Sequence, residues 1–373
     1  MSSTAEKTMK TDSMFINLGP QHPSTHGVLR VGLTIEGELI TKAVPDIGYL
    51  HRGTSKLAEV RGYHHCVVLT DRWDYVAAMP NNLVFCLAAE KLMEVQAPPR
   101  AEALRVLMCE LNRVASHLLF FGTYGIDIGA FTPFLYAFRE REMILDLFEM
   151  ACGARLTYNY IRLGGVMADV PPEWLAKCRE FVDYFKPRID EYDTLLTYNP
   201  IFMARTKEVG LIPAADAVSW SLSGANLRGS GVCYDVRKSD PYCGYERYSF
   251  DVPLGQTGSC WDRYFCRVQE MRQSIRIIEQ VLGGLPEGPT MAAGVAKIPK
   301  PKPGEAYAHV EGARGDLGIF LVSDGQASPY RMHVRAPSFL NLAILQELLV
   351  GNKVSDVIAI LGSIDIVLGE VDR

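Results

Sequence analysis

From Val28 to Val44, apolar residues alternate with polar or small ones. Leu29, Val31, Leu33 and Ile35 fall on one face, Glu36-Gly37 interrupts them, and Leu39 resumes the pattern. A period of two with a turn signal predicts a β-hairpin with one buried face. From about residue 80 the period lengthens. After Pro98-Pro99, the residues Ala103, Leu107, Leu111, Val114, Leu118 and Phe121 recur three or four apart. This predicts an amphipathic helix of about six turns, ending near Gly122. Thr132-Pro133 opens a second helix through Leu135, Phe138, Met143, Leu147 and Met150. Pro172 suits the first turn of a third, running to about Leu196. A fourth carries a heptad-like seam of Tyr264, Val268, Met271, Ile275, Ile278 and Leu282, short enough to read as bundle packing. Short strands follow at Ala306–Val310, Leu317–Ser323 and Tyr330–Arg335. A last helix starts near Ser338, taken as its N-cap.

These elements predict an α+β fold, mainly α: a helical bundle with small β-elements near both ends. The expected divisions are a disordered N-terminal tail (1–13), a β subdomain (14–60), a bundle core (61–287), a Pro/Lys-rich connector (288–305), and a C-terminal β-hairpin, helix and tail (306–373). Charged residues at 22% and apolar residues at 48% suit a globular core. A net charge of −5 gives no case for nucleic acid as a partner.

No apolar run reaches the roughly 18 residues that span a bilayer. The best, Val357 to Leu368, is short and broken by Asp365. The N-terminus is polar, with no signal-like apolar stretch. The expectation is a soluble, intracellular chain that reaches a membrane only through partners. Nine scattered cysteines without any C-x-x-C point to buried thiols in a reducing compartment. They argue against a zinc ribbon or an iron–sulfur cluster held by this chain alone.

The chain contains no G-x-G-x-x-G after a strand, no phosphate loop, no G-x-S-x-G and no H-E-x-x-H. The densest local signal is Gly19-Pro20-Gln21-His22-Pro23-Ser24-Thr25-His26-Gly27. It reads as a turn with surface histidines, as a functional loop, or as a metal pair at i, i+4, although Pro23 opposes the helix that such a pair needs. Asp71-Arg72-Trp73-Asp74-Tyr75 is a helix entry or a site, since a buried tyrosine hydroxyl needs a partner. Asp127, between glycines and apolar neighbours, is a cap or a functional acid. Arg139-Glu140-Arg141-Glu142 reads as a solvated or salt-bridged helix face.

Eight segments in order carry a resemblance: GPQHPSTHGVLR (19–30), IGYLHRGTSKLAE (47–59), DRWDYVAAM (71–79), ELNRVASHL (110–118), DIGAFTPFLYAFREREMILDLFE (127–149), SGANLRGSGVCYDVRK (223–238), SDGQASPYRMHVRAPSF (323–339) and ILGSIDIVLGEVDR (360–373). Together they are similar to the D-type, 49-kDa-type subunits of energy-converting NADH:quinone oxidoreductase, respiratory complex I. The resemblance implies a fold like that of [NiFe]-hydrogenase large subunits, which hold metal with two C-x-x-C pairs. The matching stretches here, Arg72–Met79 and Ile364–Glu370, contain no cysteine. That opposes a metal-dependent hydrogenase. It leaves an electron-transfer subunit or, as the alternative, a structural scaffold that has kept the fold without the chemistry.

The resemblance also implies a site. His26 and Tyr75 would hold the quinone headgroup, Asp127 would pair with the loop histidine, and Met79 would line the pocket. Arg52 would lie close to a terminal [4Fe–4S] cluster on a small partner subunit. His titrates near about 6.5 and Tyr near about 10, so Tyr75 could deliver a proton only to a strongly basic, reduced quinone oxygen. Quinone would be the substrate. Other [4Fe–4S] clusters and FMN would belong to partner subunits, with no cofactor bound by this chain alone. The implied partners are that small Fe–S subunit, the C-type subunit, the two-cluster ferredoxin-like subunit and the membrane subunit at the quinone channel. The implied location is peripheral, on the cytoplasmic face of the bacterial cell membrane. Two departures stand out. Thr157 replaces a histidine that many members carry near the cluster, which predicts a cluster potential less dependent on pH. The stretch from about Pro286 to Glu305 is shorter than in many relatives.

Overall fold

A computed structural model describes residues 12–21 and 27–373. Strands β1 (Ser13–Leu18), β2 (Arg30–Glu36) and β3 (Leu39–Asp46) form an antiparallel sheet in that order. The alternation of Leu29, Val31 and Leu33 places these side chains, with Ile40 and Ala43, on a buried face. The turn uses Gly37 at φ 63°, a conformation open to glycine at no cost. The expected hairpin is thus present as β2–β3. The added strand β1 has exposed Met14 and Phe15 and too weak an alternation to be read from sequence.

Helices α1 (Thr54–Glu59), α2 (Tyr63–Thr70), α3 (Ala78–Met93), α4 (Pro99–Asp127) and α5 (Thr132–Cys152) follow. A two-residue hairpin, β4 (Ile161–Arg162) and β5 (Gly165–Val166), leads into α6 (Pro172–Tyr192), which continues through a π-helical turn at Asp193–Thr197. Four short helices come next: α7 (Pro200–Thr206), α8 (Ala214–Ser219), α9 (Ala225–Gly229) and α10 (Val236–Ser239). The long α11 (Cys260–Gly283) opens on a capping box, with Ser259 and Asp262 satisfying each other's backbone N–H. The four helices predicted from periodicity are α4, α5, α6 and α11. Helix α3 escaped that reading because it is apolar or buried on nearly every face, so it shows no amphipathic period.

An antiparallel sheet of β6 (Gly304–Glu311), β7 (Asp316–Ser323) and β8 (Arg331–Arg335) packs on α3. The chain ends in α12 (Pro337–Ala343), α13 (Leu345–Leu349), α14 (Val357–Ile364) and α15 (Leu368–Asp372). Ser338 is not the N-cap of α12. Pro337 occupies the first turn, and the Ser338 hydroxyl accepts the Val367 N–H at 3.3 Å while its own N–H donates to Glu370 at 3.0 Å. Among the described residues, no helix is long and apolar enough to cross a membrane. Seven of the nine free cysteines are buried; Cys152 is half-buried and Cys233 is exposed.

Two apolar cores result among the described residues. The larger fills the α2–α6 and α11 bundle and the sheet above it. The second joins the inner face of the first sheet, through Leu29, Val31 and Leu33, to α13–α15 through Leu349, Ile360 and Leu368. The two ends of the sequence therefore share one core. That union positions the site.

Candidate active site

Tyr75 lies between α2 and α3 on a segment pinned by side chains. Asp74 accepts the N–H groups of Val76 and Ala77, both at 3.2 Å. Asn81 donates to the carbonyls of Thr70 and Asp74, both at 3.1 Å. Asn112 on α4 accepts the Met79 N–H at 3.0 Å and donates to the Val76 carbonyl at 3.2 Å. The Tyr75 ring is 37% exposed. Burial, and then the nearby Asp74 carboxylate, raise its pKa above the usual phenol value, so it remains a proton donor at neutral pH.

Asp127 is the last residue of α4. A carboxylate there opposes the helix dipole; it stands at the wrong end of α4 to be that helix's N-cap, and the N-cap of α5 is Phe131. Helix α14 comes close to it: a Cβ added to Gly362 would lie 3.1 Å from Asp127 Oδ2 and 2.8 Å from the Tyr124 ring.

Tyr75 and Asp127 line one cavity of about 190 Å³. Arg314, Asp365 and Thr123 supply its other polar groups, with apolar surface from Leu119, Phe120 and Val367 among others. Arg314, in the turn between β6 and β7, reaches Asp74 at 3.3 Å, Asp365 at 3.1 Å and the Ser116 hydroxyl. Asp365 also faces Arg267 at 3.2 Å. Burial opposes charge on Arg314, but Asp365 and then Asp74 outweigh it, and its pKa rises. The pKa of Asp74 also rises, because burial outweighs the attraction of Arg314 and Asp365 adds repulsion. Behind them, burial and then Asp74 push Glu370 up to about 7.

The other expected residues are placed differently. His26 lies outside the described residues. Its neighbour Gly27 has φ +120°, and a Cβ added there would lie 3.5 Å from Leu368, next to the cavity residue Val367. Met79 is fully buried in α3, among the bundle core rather than the cavity lining. Arg52 is exposed and donates its backbone N–H to the Arg373 carbonyl at 3.3 Å. Its neighbours His51 and Gly53 line a separate cleft of about 420 Å³. Sequence reasoning missed Arg314, Asp365 and Asp74 as a group. One signal was available: Asp365 interrupts an apolar run, and a carboxylate in such surroundings must be paired to be tolerated.

Residues 127–303 and 293–373 match the family described as respiratory-chain NADH dehydrogenase, 49 Kd subunit. The chain belongs to this family. It is similar to the NADH-quinone oxidoreductase D subunit of Desulforamulus reducens, with 55% identity over 98% of this chain and 100% of the relative. The D subunits of Bacillus mycoides and Bacillus anthracis are each 52% identical over the same shares. As a member of this family, the chain is one component of an oxidoreductase complex, partnered by the other subunits.

Proposed function

We propose that this chain builds the headgroup end of the quinone-reduction site in a proton-translocating NADH:quinone oxidoreductase, as a translocase component inactive by itself. The observation that carries the reading is the shared cavity. Tyr75 and Asp127 come from separate segments of the chain and meet in a polar-apolar space. At about 190 Å³ it is smaller than the roughly 300–1,000 Å³ clefts that enclose drug-sized ligands. It suits one ring, with any apolar tail outside.

Reducing a quinone to a quinol consumes two electrons and two protons. A [4Fe–4S] cluster on the small partner subunit would supply the electrons. The Tyr75 phenol donates a hydrogen bond to one quinone oxygen and passes its proton once that oxygen has become the stronger base. His26 serves the other oxygen, oriented by Asp127. Arg314, held between two carboxylates, adds fixed positive charge where negative charge develops. Arg52, exposed at the surface, would lie toward the partner's cluster, where its charge would favour the reduced form. The C-type, ferredoxin-like and membrane subunits complete the assembly at the cytoplasmic face of the cell membrane, and reduction here drives ion pumping in the membrane arm.

The test is Tyr75→Phe in the assembled complex. Quinone reductase activity is expected to fall by about 10²-fold or more, the scale of a lost general acid, with NADH oxidation by an artificial acceptor retained. Near-normal quinone reduction with intact assembly would reject the assignment.

A further inference from the structure

His309, on β6, stands apart from the cavity and joins two carboxylates. Its Nδ1 lies 3.0 Å from Asp316 Oδ1, and its Nε2 lies 2.9 Å from Asp240 Oδ2. A neutral imidazole carries one N–H, so it can donate to one carboxylate while its bare nitrogen faces the other. Both contacts are attractive only for the imidazolium.

The two carboxylates differ in how they are held. Asp316 opens β7 and is mostly buried, with Arg335 of β8 at 3.5 Å and the Tyr234 hydroxyl at 3.4 Å. Asp240 follows α10 and is 71% exposed. The Tyr307 ring, 5.5 Å from the imidazole, covers it from the same strand. Asp316 is therefore the fixed jaw and Asp240 the one that can leave.

The segment around Asp240 is built into the interior. Asp235 accepts the Arg237 N–H at 2.9 Å, and Arg237 pairs with buried Glu110 of α4 at 3.1 Å. The Tyr242 hydroxyl accepts the Glu311 N–H at 3.1 Å. Residues 235–242 thus wall one side of a buried ion cluster.

We propose that His309 is a pH-sensitive latch: as an imidazolium it fastens Lys238–Asp240 to the β6–β7 hairpin through Asp240, and on losing its proton it releases that stretch while the buried pairs hold the rest of the segment. Hydrogen bonding to Asp316 raises its pKa above the ordinary histidine value, burial opposes this, and Asp240 adds to the rise. The latch is closed at and below about 6.5 and opens as pH rises through the raised value. This inference is independent of the quinone-site reading.

Amide hydrogen exchange in the assembled complex, corrected for the intrinsic pH dependence of exchange, tests it. The N–H groups of Lys238, Ser239 and Asp240 bond to the Asp235 and Val236 carbonyls. They are expected to lose protection by about fivefold as pH rises from 6 to 9, a modest factor because Asp240 is exposed to solvent. His309→Gln should abolish that step, and Asp240→Asn should move it to lower pH. Protection that does not change with pH in the unmodified protein, or an identical step in His309→Gln, would overturn the proposal.

Discussion

Arg314 Nη2 lies 3.1 Å from Asp365 Oδ1, joining the turn between β6 and β7 to the end of α14 at the wall of the candidate cavity. Both residues are almost completely buried. Removing the cation would leave Asp74 buried without its counter-charge, while Asp365 would keep only Arg267. Arg314→Met is expected to destabilise the chain by about 3–5 kcal/mol. Asp365→Asn should cost less, because Arg314 keeps Asp74 and Arg267 keeps its hydrogen bonds to the carbonyls of Arg263, Ser363 and Ile364. Thermal melting of purified complexes would rank the two variants. A milder effect for Arg314→Met would contradict the pairing.

Glu370 gives a pH signature. Its folded-state value of about 7 stands above the ordinary 4.5, so between those limits the folded chain binds more protons than the unfolded one. Its contribution to stability is fully present below about 4.5 and is lost as pH rises through about 7. The span is on the order of 3 kcal/mol. Glu370→Gln should flatten the dependence of melting temperature on pH across that window. An unchanged slope would remove Glu370 as its source.

Gly369 is where α15 meets the Tyr75 segment. A Cβ there would stand 2.6 Å from the Trp73 carbonyl oxygen, 2.8 Å from that of Arg72 and 3.1 Å from the Tyr75 ring. Two of those atoms are backbone and cannot rotate away. Gly369→Ala is expected to cost about 1–3 kcal/mol and to lower kcat by displacing Tyr75. Gly283→Ala, with nothing within 4 Å, is the control and should be neutral or slightly stabilising. Melting and steady-state rates for the pair of variants would separate a local clash from a general intolerance of alanine.

Thr157 holds φ 55°, an uncommon conformation for a β-branched residue. It has no group that titrates near neutrality. Under the proposed function, the partner's cluster should shift with pH by much less than the roughly 60 mV per unit of a one-proton, one-electron couple. Thr157→His should steepen that slope. Redox titrations of the complex at several pH values, followed by electron paramagnetic resonance, would show it. A full slope in the unmodified protein would refute the expectation.

The sequence showed most clearly the elements whose apolar residues keep a period. Strands β2 and β3 alternate, while α4 and α11, although mostly buried, set polar residues such as Arg105, Glu110 and Arg113, or Arg263, Arg267 and Glu270, between their apolar ones. Helix α3 is buried nearly all round, and α7–α10 and α13–α15 are too short for a period to emerge. Tyr75 and Asp127 could be singled out from their local settings and the family resemblance. Their meeting in one cavity, and the presence of Arg314 there, could not be read from spacing. Those relations depend on the C-terminal segment crossing the bundle. Helix α4 runs five residues beyond Gly122, which turned Asp127 from an expected loop acid into a helix end.

The Asp372 carboxylate accepts the N–H of Gly48 at 2.8 Å and that of Leu50 at 2.7 Å, across sequence separations of 324 and 322 residues. Neighbouring helices such as α4 and α5 can dock after closing only a short turn. Fastening the 48–50 loop instead closes a ring almost as long as the polypeptide, with an entropic cost that rises with the logarithm of ring size. The bundle can therefore form early, while the wall carrying Val367 and Leu368 must wait for the far end of the chain. Kinetically, the place where chemistry is proposed is among the last parts of the molecule to be tied down.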